Sequence, residues 1–496
     1  MDAKVKAGTK TAPDVDRYEV EAVNSAARRS LYKAREPIYP KLVYGTYRKV
    51  KWAMLVFTLG VYYLLPWVRW QRGPNEPEQA ILVDFPGRRF YFFNIELWPD
   101  ELYYITGLLV IAALALFLAT SLFGRIWCGY SCPQTVWTDL YIAVERLVEG
   151  DRNQRLKLAK GPWTFGKLGK KALKHALWLF IGAATGGAWI FYFHDAPTVL
   201  PQLFRGEAPF TAYFFLGLLT LTTYLFAGSM REQVCTYMCP WPRIQAALTD
   251  AETLQVTYKA DRGEPRGAHK KGQSWEGRGD CVDCNSCVAA CPMGIDIRDG
   301  AQLECINCAL CIDACDEVMA KVGRPLRLIG YDTDNNLVRR ARGERPRVKL
   351  VRPRTVLYAT VLATVGGLML WGLATRATLQ VNVIRDRTPP FVRLSDGSIR
   401  NAFTVKIVNR DNKTRALALS VASGVPVELS AIGEAFEGGV AAVAAEGDAV
   451  RSVRVFVTAP PKSSANATFP ITVKILDPAT GEEAARETTF LTETRR

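Results

Sequence analysis

The cysteines are the residues of this chain whose type and spacing point most directly to chemistry. All 12 lie between positions 128 and 315 of the 496 residues. Eight of them form two consecutive runs with the spacing C-x2-C-x2-C-x3-C, namely Cys281, Cys284, Cys287 and Cys291, followed by Cys305, Cys308, Cys311 and Cys315. Bacterial two-cluster ferredoxins use this spacing, whereas zinc sites generally pair CxxC units at wider separations. The two runs therefore predict two 4Fe–4S clusters.

The fourth cysteine of each run is predicted to bind the cluster of the other run. Three closely spaced thiolates hold three corners of a cubane, after which the chain turns away. One cluster would take Cys281, Cys284, Cys287 and Cys315, and the other Cys305, Cys308, Cys311 and Cys291. The second run departs from the ferredoxin pattern in one respect, because Asp316 stands where Pro follows the last Cys. This weakens the turn signal and removes no ligand.

The other four cysteines form two matched CxxxCP motifs, Cys128 with Cys132 and Cys235 with Cys239. Each motif follows an apolar segment, which indicates an internal repeat. Proline suits the first turn of a helix and disfavours helical geometry in the residue before it. We therefore expect a tight turn at each motif, with the four thiols brought together. Soft sulfur ligands suit Cu(I), zinc or an iron–sulfur cluster, and Met230 and Met238 nearby favour copper. Thiols without a metal and a redox-active dithiol are the alternatives.

Five apolar segments are long enough to cross a bilayer, although the mean hydropathy of the whole chain is only +0.01. They lie at Trp52–Val68, Leu102–Leu122, Leu173–Phe193, Thr211–Gly228 and Thr355–Ala374. Gly182 and Gly186 have the GxxxG spacing that lets helices approach closely. With 49% hydrophobic and 22% charged residues, the composition excludes a collagen, a disordered chain and a small disulfide-rich domain. We predict a multi-pass protein of a bacterial cytoplasmic membrane.

The orientation follows from the Lys and Arg residues that flank the spans. The N-terminal tail through Lys51 and the four successive loops carry 12, 4, 9, 1 and 20 of them. Because positive charge concentrates on the cytoplasmic side, the N-terminus and all twelve cysteines are predicted to be cytoplasmic and the C-terminal region periplasmic. The basic run Arg339–Arg354 abuts a span on the cytoplasmic side, so topology and anionic lipid explain it, and no nucleic-acid partner is expected.

The predicted fold class is a multidomain membrane protein with a five-helix bundle, a two-cluster ferredoxin-like insertion and an all-β immunoglobulin-like sandwich. Thr404–Val408, Val453–Val457 and Ile471–Ile475 alternate as strands do, with turn signals at Asp396-Gly397 and Pro478–Gly481. The predicted boundaries are 1–51 (tail), 52–250 (four spans), 251–330 (clusters), 331–354 (basic linker), 355–374 (fifth span) and 379–496 (sandwich). His175, His194 and His269 are expected to be interfacial or solvated and not metal ligands.

These motifs together resemble the FixG/RdxA/CcoG family of membrane-bound polyferredoxin-like proteins, which are accessory proteins of cbb-type cytochrome c oxidases. The resemblance rests on the segments 124–133 and 231–240, both ferredoxin runs and the sequence Val383-Ile-Arg-Asp-Arg387. It implies reduction of Cu(II) to Cu(I) for the copper centre of the oxidase, with the clusters as the electron source. It also implies oxidase assembly factors or a copper chaperone as partners.

Three functions are therefore predicted, in order of preference. The first is a cupric reductase, an enzyme that passes single electrons from the clusters to copper at Cys128, Cys132, Cys235 and Cys239. The second is an electron-transfer subunit that links the clusters to a quinone or a partner protein. The third is a copper-delivery or assembly scaffold without enzymatic activity. A homo-oligomer is compatible with each of them.

Overall fold

The structure is a computed structural model that describes residues 15–24, 36–73, 76–269, 273–437, 439–461 and 468–492. It forms two compact units. The first comprises Met1–Gln71 and Pro77–Met369, and the second Arg72–Glu76 and Leu370–Arg496. The helices are α1 Thr46–Leu64, α2 Leu102–Phe123, α3 Ile126–Tyr130, α4 Pro133–Glu149, α5 Arg152–Lys160, α6 Phe165–Ile190, α7 Ala196–Arg205, α8 Phe210–Thr223, α9 Trp241–Leu248, α10 Ala260–Gly263, α11 Ser286–Ala290, α12 Leu310–Lys321, α13 Asp334–Ala341 and α14 Pro353–Ala374.

Helices occupy all five predicted spans, and four of these helical segments are long and apolar enough to cross a bilayer. The four are Thr46–Trp67, Pro99–Phe123, Phe210–Met230 and Pro353–Ala374. The first and third extend α1 and α8 by a 3-10 turn at Leu65–Trp67 and a π-helical segment at Tyr224–Met230. The chain is a membrane protein by this criterion, and the sides on which its parts lie remain a prediction.

The helix α6 contains the remaining predicted span, Leu173–Phe193, and is less apolar than the other four. Lys174 and His175 lie within its first half. Its two GxxxG glycines face α8, since a Cβ on Gly182 or Gly186 would stand 3.0 or 2.8 Å from a backbone oxygen of that helix. The close helix approach expected from this spacing is therefore present, while passage of α6 through the membrane stays a prediction.

Two small sheets complete the first unit. One is a meander of β1 Ile81–Asp84, β2 Arg89–Phe92 and β3 Ile95–Leu97, and the other pairs β4 Gln255–Tyr258 with β5 Ile329–Asp332. The β4–β5 pair bounds the cysteine-rich region on both sides. Val256 and Ile329 from this pair pack with Ile312 and Met319 of α12 in one buried cluster. Burial of each such side chain contributes about 1.5–3 kcal/mol, so the pair fixes the region that carries the two runs.

The second unit is a sandwich of two five-stranded antiparallel sheets, as predicted. Its strands are β6 Leu379–Arg385, β7 Val392–Arg393, β8 Ile399–Asn409, β9 Arg415–Ser423, β10 Glu428–Ala431, β11 Ala435–Glu437, β12 Val440–Ala445, β13 Ala449–Ala459, β14 Phe469–Leu476 and β15 Glu483–Phe490. The sheet orders are β10-β13-β8-β6, with β7 also on β8, and β11-β12-β9-β14-β15. Alternate residues such as Phe403, Val405, Leu417 and Ile471 are buried between the sheets. The three strand segments identified from alternation lie in β8, β13 and β14.

The histidines follow the expectation in part. His175 accepts or donates a hydrogen bond at Nδ1 with the Tyr224 hydroxyl (2.9 Å). The interpretation of His269 as solvated or interfacial is wrong, since this residue is only 7% exposed and its ring stacks on Trp275 with the centroids 4.0 Å apart. Neighbouring aromatic surface buries the imidazole, a tertiary contact that its polar sequence surroundings do not indicate.

Candidate functional site

Each ferredoxin run is turned by a pair of residues in the left-handed backbone conformation. Asp283 and Asn285 flank the second cysteine of the first run, with φ of 51° and 57°. Asn307 and Ala309 occupy the same positions in the second run, with φ of 52° and 60°. Such values are uncommon for residues other than glycine, although Asn and Asp tolerate them best. The repeated geometry curls the backbone in the same way around the first three thiols of each run.

The structure brings the fourth cysteine of the first run to the second run. Cys291 lines one small cavity together with Cys305, Cys308 and Cys311, and Cys287 also reaches it. Burial raises the pKa of the Cys291 thiol to about 12, and the neighbouring Cys308 and Cys305 contribute to the shift. This grouping is the one that the predicted exchange of fourth cysteines requires.

Cys315, at the end of the second run, lies in turn beside the first run. Burial raises the pKa of its thiol, and Cys284 and Cys281 are the thiols that add most to this shift. All twelve cysteines are free of disulfides. Buried thiols with raised pKa values hold their protons at neutral pH unless a metal replaces them. Two groups of four soft donors, with a cavity among those of the second group, fit two 4Fe–4S clusters.

The N-terminal segment packs onto the loop of the first run, a contact that the sequence did not indicate. Of the predicted tail, the structure describes residues 15–24 and 36–51. The Tyr18 N–H donates to the Cys284 carbonyl (2.9 Å), and the Asn285 side chain donates back to the Tyr18 carbonyl (3.1 Å). Arg17 pairs with Asp283 at 3.0 Å. This segment therefore covers the turn that positions Cys281 and Cys284.

The two CxxxCP motifs share the same local geometry, which supports the internal repeat. Four residues before the first cysteine, the chain breaks at Gly124 in one motif and at Arg231 in the other, with φ of 60° and 44°. The N–H of the second cysteine then donates to the carbonyl five residues earlier, Cys132 to Trp127 at 2.9 Å and Cys239 to Val234 at 2.8 Å. Both second cysteines have extended backbone, and the helices α4 and α9 follow. The predicted tight turns are present.

A buried ion network holds the strained Arg231 in place. Its Nη2 lies 2.6 Å from Oε1 of Glu145 on α4, and its Nε donates to the Gly228 carbonyl at 2.8 Å. Glu145 also pairs with Arg155 and, at 3.7 Å, with Lys174. Burial opposes ionisation of Glu145, but the charges of Arg231 and Arg155 outweigh it and lower the pKa of this carboxyl. The second motif is thereby fixed to α4, which starts directly after the first motif.

The four cysteines of the motifs line one cavity of about 390 Å³. Its walls include Leu116, Trp127 and Trp241, and the Trp241 indole N–H is buried without a hydrogen-bond partner among the described residues. The Cys128 thiol donates to Oε1 of the buried Gln245 (3.2 Å), and burial raises the pKa of this thiol to about 12. The convergence expected for these four thiols is thus present.

The cavity of the four motif thiols, here the four-thiol cavity, adjoins the second ferredoxin run. Ile306 lines both this cavity and the cavity of Cys291, Cys305, Cys308 and Cys311. The Tyr130 hydroxyl donates to the Cys308 carbonyl (3.3 Å). A Cβ on Gly129 would stand 2.6 Å from the Ile306 carbonyl oxygen and 3.0 Å from the Cα of Cys308. The turn of the first motif therefore packs directly on the loop of the second ferredoxin run, which contains Ile306 and Cys308.

We predict that Gly129→Ala disturbs this contact. The added methyl has no room against backbone atoms, so we expect a destabilisation of about 1–3 kcal/mol and a lower iron and sulfide content. Metal and acid-labile sulfide analysis of purified protein measures it. Gly217→Ala on α8 is the matched control, because nothing lies within 4 Å of its Cβ position. Equal iron content in both variants would contradict the prediction.

Family models match three parts of the chain. A 4Fe–4S dicluster domain matches residues 230–334, and a 4Fe–4S binding domain matches residues 105–149, which include the first CxxxCP motif. The IG-like fold at the C-terminus of FixG matches residues 369–493. The matches identify the cysteine-rich region as iron–sulfur binding and agree with the sandwich of the second unit.

Curated relatives are similar over most of the chain. The nitrogen fixation protein FixG of Rhizobium meliloti is 48% identical over 97% of this chain and 98% of its own length. The proteins RdxB and RdxA of Cereibacter sphaeroides are 54% and 49% identical, covering 81% and 91% of this chain and 85% and 92% of their own. The crystal structure of a FixG-related protein from Vibrio parahaemolyticus is 19% identical over 24% of this chain and 98% of its own, with a TM-score of 0.21.

Proposed function

This chain belongs to the family of FixG, RdxA and RdxB, and we propose that it is a cupric reductase that supplies Cu(I) to a cbb-type cytochrome c oxidase. Membership and the family models establish an iron–sulfur electron-transfer protein with membrane helices. The proposal adds three points to this. Copper is the substrate, and the oxidase with its assembly factors or copper chaperone is the recipient. The clusters lie on the cytoplasmic side of the membrane.

One observation carries the proposal. Four thiols line a single cavity, and Ile306 lines both this cavity and the cavity of the second cluster-binding group. A metal ion held there would lie next to a one-electron donor. The first motif packs on the second ferredoxin run, since a Cβ on Gly129 would stand 2.6 Å from the Ile306 carbonyl oxygen.

The residues of the cavity suit the reduction of copper. Thiolates are soft ligands and stabilise Cu(I) over Cu(II), so binding by Cys128, Cys132, Cys235 and Cys239 would favour the reduced ion. The raised pKa of the Cys128 thiol means that a bound copper ion has to displace a proton there. When bound, the two 4Fe–4S clusters supply the single electron that converts each Cu(II) to Cu(I).

A second candidate is an electron-transfer subunit that exchanges electrons with a quinone. The walls of the four-thiol cavity favour it, because they include Leu116, Trp127 and Trp241 and its volume of about 390 Å³ suits a small apolar ligand. The unpaired Trp241 N–H would then donate to a quinone oxygen. The same experiment tests both candidates.

The test uses purified protein that has been reduced with dithionite and freed of excess reductant. We expect added Cu(II) to reoxidise the clusters, seen as recovery of their visible absorbance, and to appear as Cu(I) bound by a Cu(I)-specific chelator. Replacing all four motif cysteines by serine should slow this reaction by at least about 100-fold, since loss of an outer-shell partner alone costs 10- to 100-fold. The cluster absorbance of the variant should remain.

Three other results would contradict the proposal. Reoxidation by a short-chain quinone but not by copper would favour the electron-transfer subunit. No reoxidation by either would favour a scaffold. Loss of cluster absorbance in the four-serine variant would mean that the motif cysteines hold a cluster or the fold. The single variant Cys239→Ser is informative in that last case, because Cys239 is the exposed member of the four.

A further inference from the structure

Arg125 is a buried cation between the four-thiol cavity and the second ferredoxin run. It is 8% exposed and lines the four-thiol cavity. Its Nη1 donates to the carbonyls of Leu303 and, at 3.2 Å, of Cys305, while its Nη2 donates to the Pro242 carbonyl at 2.8 Å. The Arg125 guanidinium therefore connects the start of the first motif with the loop of the second ferredoxin run and with α9, which follows the second motif.

The positive charge of Arg125 is not neutralised by an acidic neighbour. Within the described ranges, no carboxylate oxygen lies within 4 Å of its guanidinium. The buried Glu304 also lines this cavity. Burial lowers the pKa of Arg125, and the groups that oppose this shift are the thiols of Cys305 and Cys128. These two thiols belong to two different sites.

The first cluster-binding group also has a buried arginine, but that one is neutralised. Nη2 of Arg298 lies 2.6 Å from Asp296, and its Nη1 lies 2.8 Å from Asp283. It also donates to Asn285 at 2.7 Å. Although burial opposes the charged form, the hydrogen bond that Arg298 donates to Asp296 and the nearby Cys287 raise the pKa of Arg298. Two carboxylates therefore pair with the arginine beside the first group, whereas among the described residues no ion pair holds the arginine beside the second.

We propose that Arg125 is a positioning residue that sets the order of the two cluster potentials. Reduction adds negative charge to a cluster, and an uncompensated buried cation favours that charge, whereas a neutralised one contributes little. The cluster at Cys291, Cys305, Cys308 and Cys311 then has the higher potential, and electrons collect beside the four-thiol cavity. The proposal deepens the proposed function, and since its measurement uses no copper the two can fail separately.

The test is a redox titration of the purified, cluster-loaded protein, followed by low-temperature EPR. Signals are assigned with the variants Cys291→Ser and Cys315→Ser. We expect Arg125→Gln to lower the potential of the cluster at Cys291, so that the equilibrium constant for sharing one electron between the clusters falls about tenfold, about 59 mV. Arg125→Lys should restore most of this change, because it keeps the charge.

Arg298→Gln is the matched control and has the opposite effect on the gap between the potentials. It removes the cation of Asp296 and one of the two cations of Asp283, which keeps Arg17, so the potential of the other cluster should fall and the gap should widen. If Arg125→Gln prevents cluster insertion, Leu303→Glu places a carboxylate beside Arg125 at a site that is 44% exposed. Leu303→Gln is its control. Unchanged potentials in cluster-loaded Arg125→Gln, or in Leu303→Glu against Leu303→Gln, would overturn the proposal.

Discussion

Cys291→Ser should abolish the cluster of the second ferredoxin run and leave the cluster of the first. Cys291 belongs to the first run in sequence but lines the cavity of Cys305, Cys308 and Cys311. Serine is a poor replacement for a soft thiolate ligand of iron. We expect the variant to lose about half of its iron and acid-labile sulfide, with one of two EPR signals remaining. Chemical analysis and EPR of the anaerobically purified protein measure this.

Pairs of substitutions show which cysteines share a cluster. If Cys291 and Cys305 bind the same cluster, Cys291→Ser with Cys305→Ser should be no worse than either change alone. Cys291→Ser with Cys281→Ser should remove both clusters. Sites that act as one unit give such non-additive results, and separate sites add. The reverse pattern would show that each run keeps its own fourth cysteine.

Glu145→Gln should cause the largest loss of stability outside the cysteines. The carboxylate is 4% exposed and pairs with Arg231, Arg155 and Lys174. Removing one partner of a buried pair leaves uncompensated charge and costs about 3–5 kcal/mol. The strained backbone of Arg231 would also lose its anchor. Thermal or denaturant unfolding in detergent measures the loss.

Glu317→Gln is the matched control for this change. Glu317 pairs with Lys321 at 2.8 Å on the exposed side of α12, and such surface pairs contribute less than about 0.5 kcal/mol. The pH dependence offers a second check. Because the folded pKa of Glu145 lies below the usual 4.5, its contribution is complete above that pH and is lost as the pH falls through the folded value. The stability difference between wild type and Glu145→Gln should therefore narrow in strong acid, and a constant difference would contradict the assignment.

Much of this architecture could be predicted from short-range patterns. The spacing of the cysteines, the Pro after Cys132 and Cys239, and the alternation in Thr404–Val408 are local signals, and each corresponds to an element of the structure. The five apolar segments were predicted from their length, and the structure has a helix at each of them. The apolar pattern predicted the span in α6 less clearly, because that segment contains Lys174. Only the fold shows that Lys174 is buried against Glu145 and Glu149 on α4.

The parts that the sequence did not indicate depend on contacts between distant residues. Arg125 reads as a basic residue at the end of a span, and only the fold places it on the Cys305 carbonyl, 180 positions away. Gln245 and the carboxylates of α4 have no spacing that marks them. The sequence also does not indicate the left-handed conformation of Arg231. In the first motif Gly124 occupies this position and marks the end of the helix, whereas in the second motif the ion pair with Glu145 holds Arg231 in the same type of conformation.

The contact between Arg17 and Asp283 has a consequence for biosynthesis. The two residues are 266 positions apart, so at roughly 5–20 residues per second the ribosome needs about 13–53 s to synthesise the chain between them. Until then the N-terminal segment lacks this docking surface, and three helices long and apolar enough to cross a bilayer, α1, α2 and α8, are synthesised before it. We therefore expect the N-terminal segment to cover the loop of the first ferredoxin run only after these helices have been synthesised.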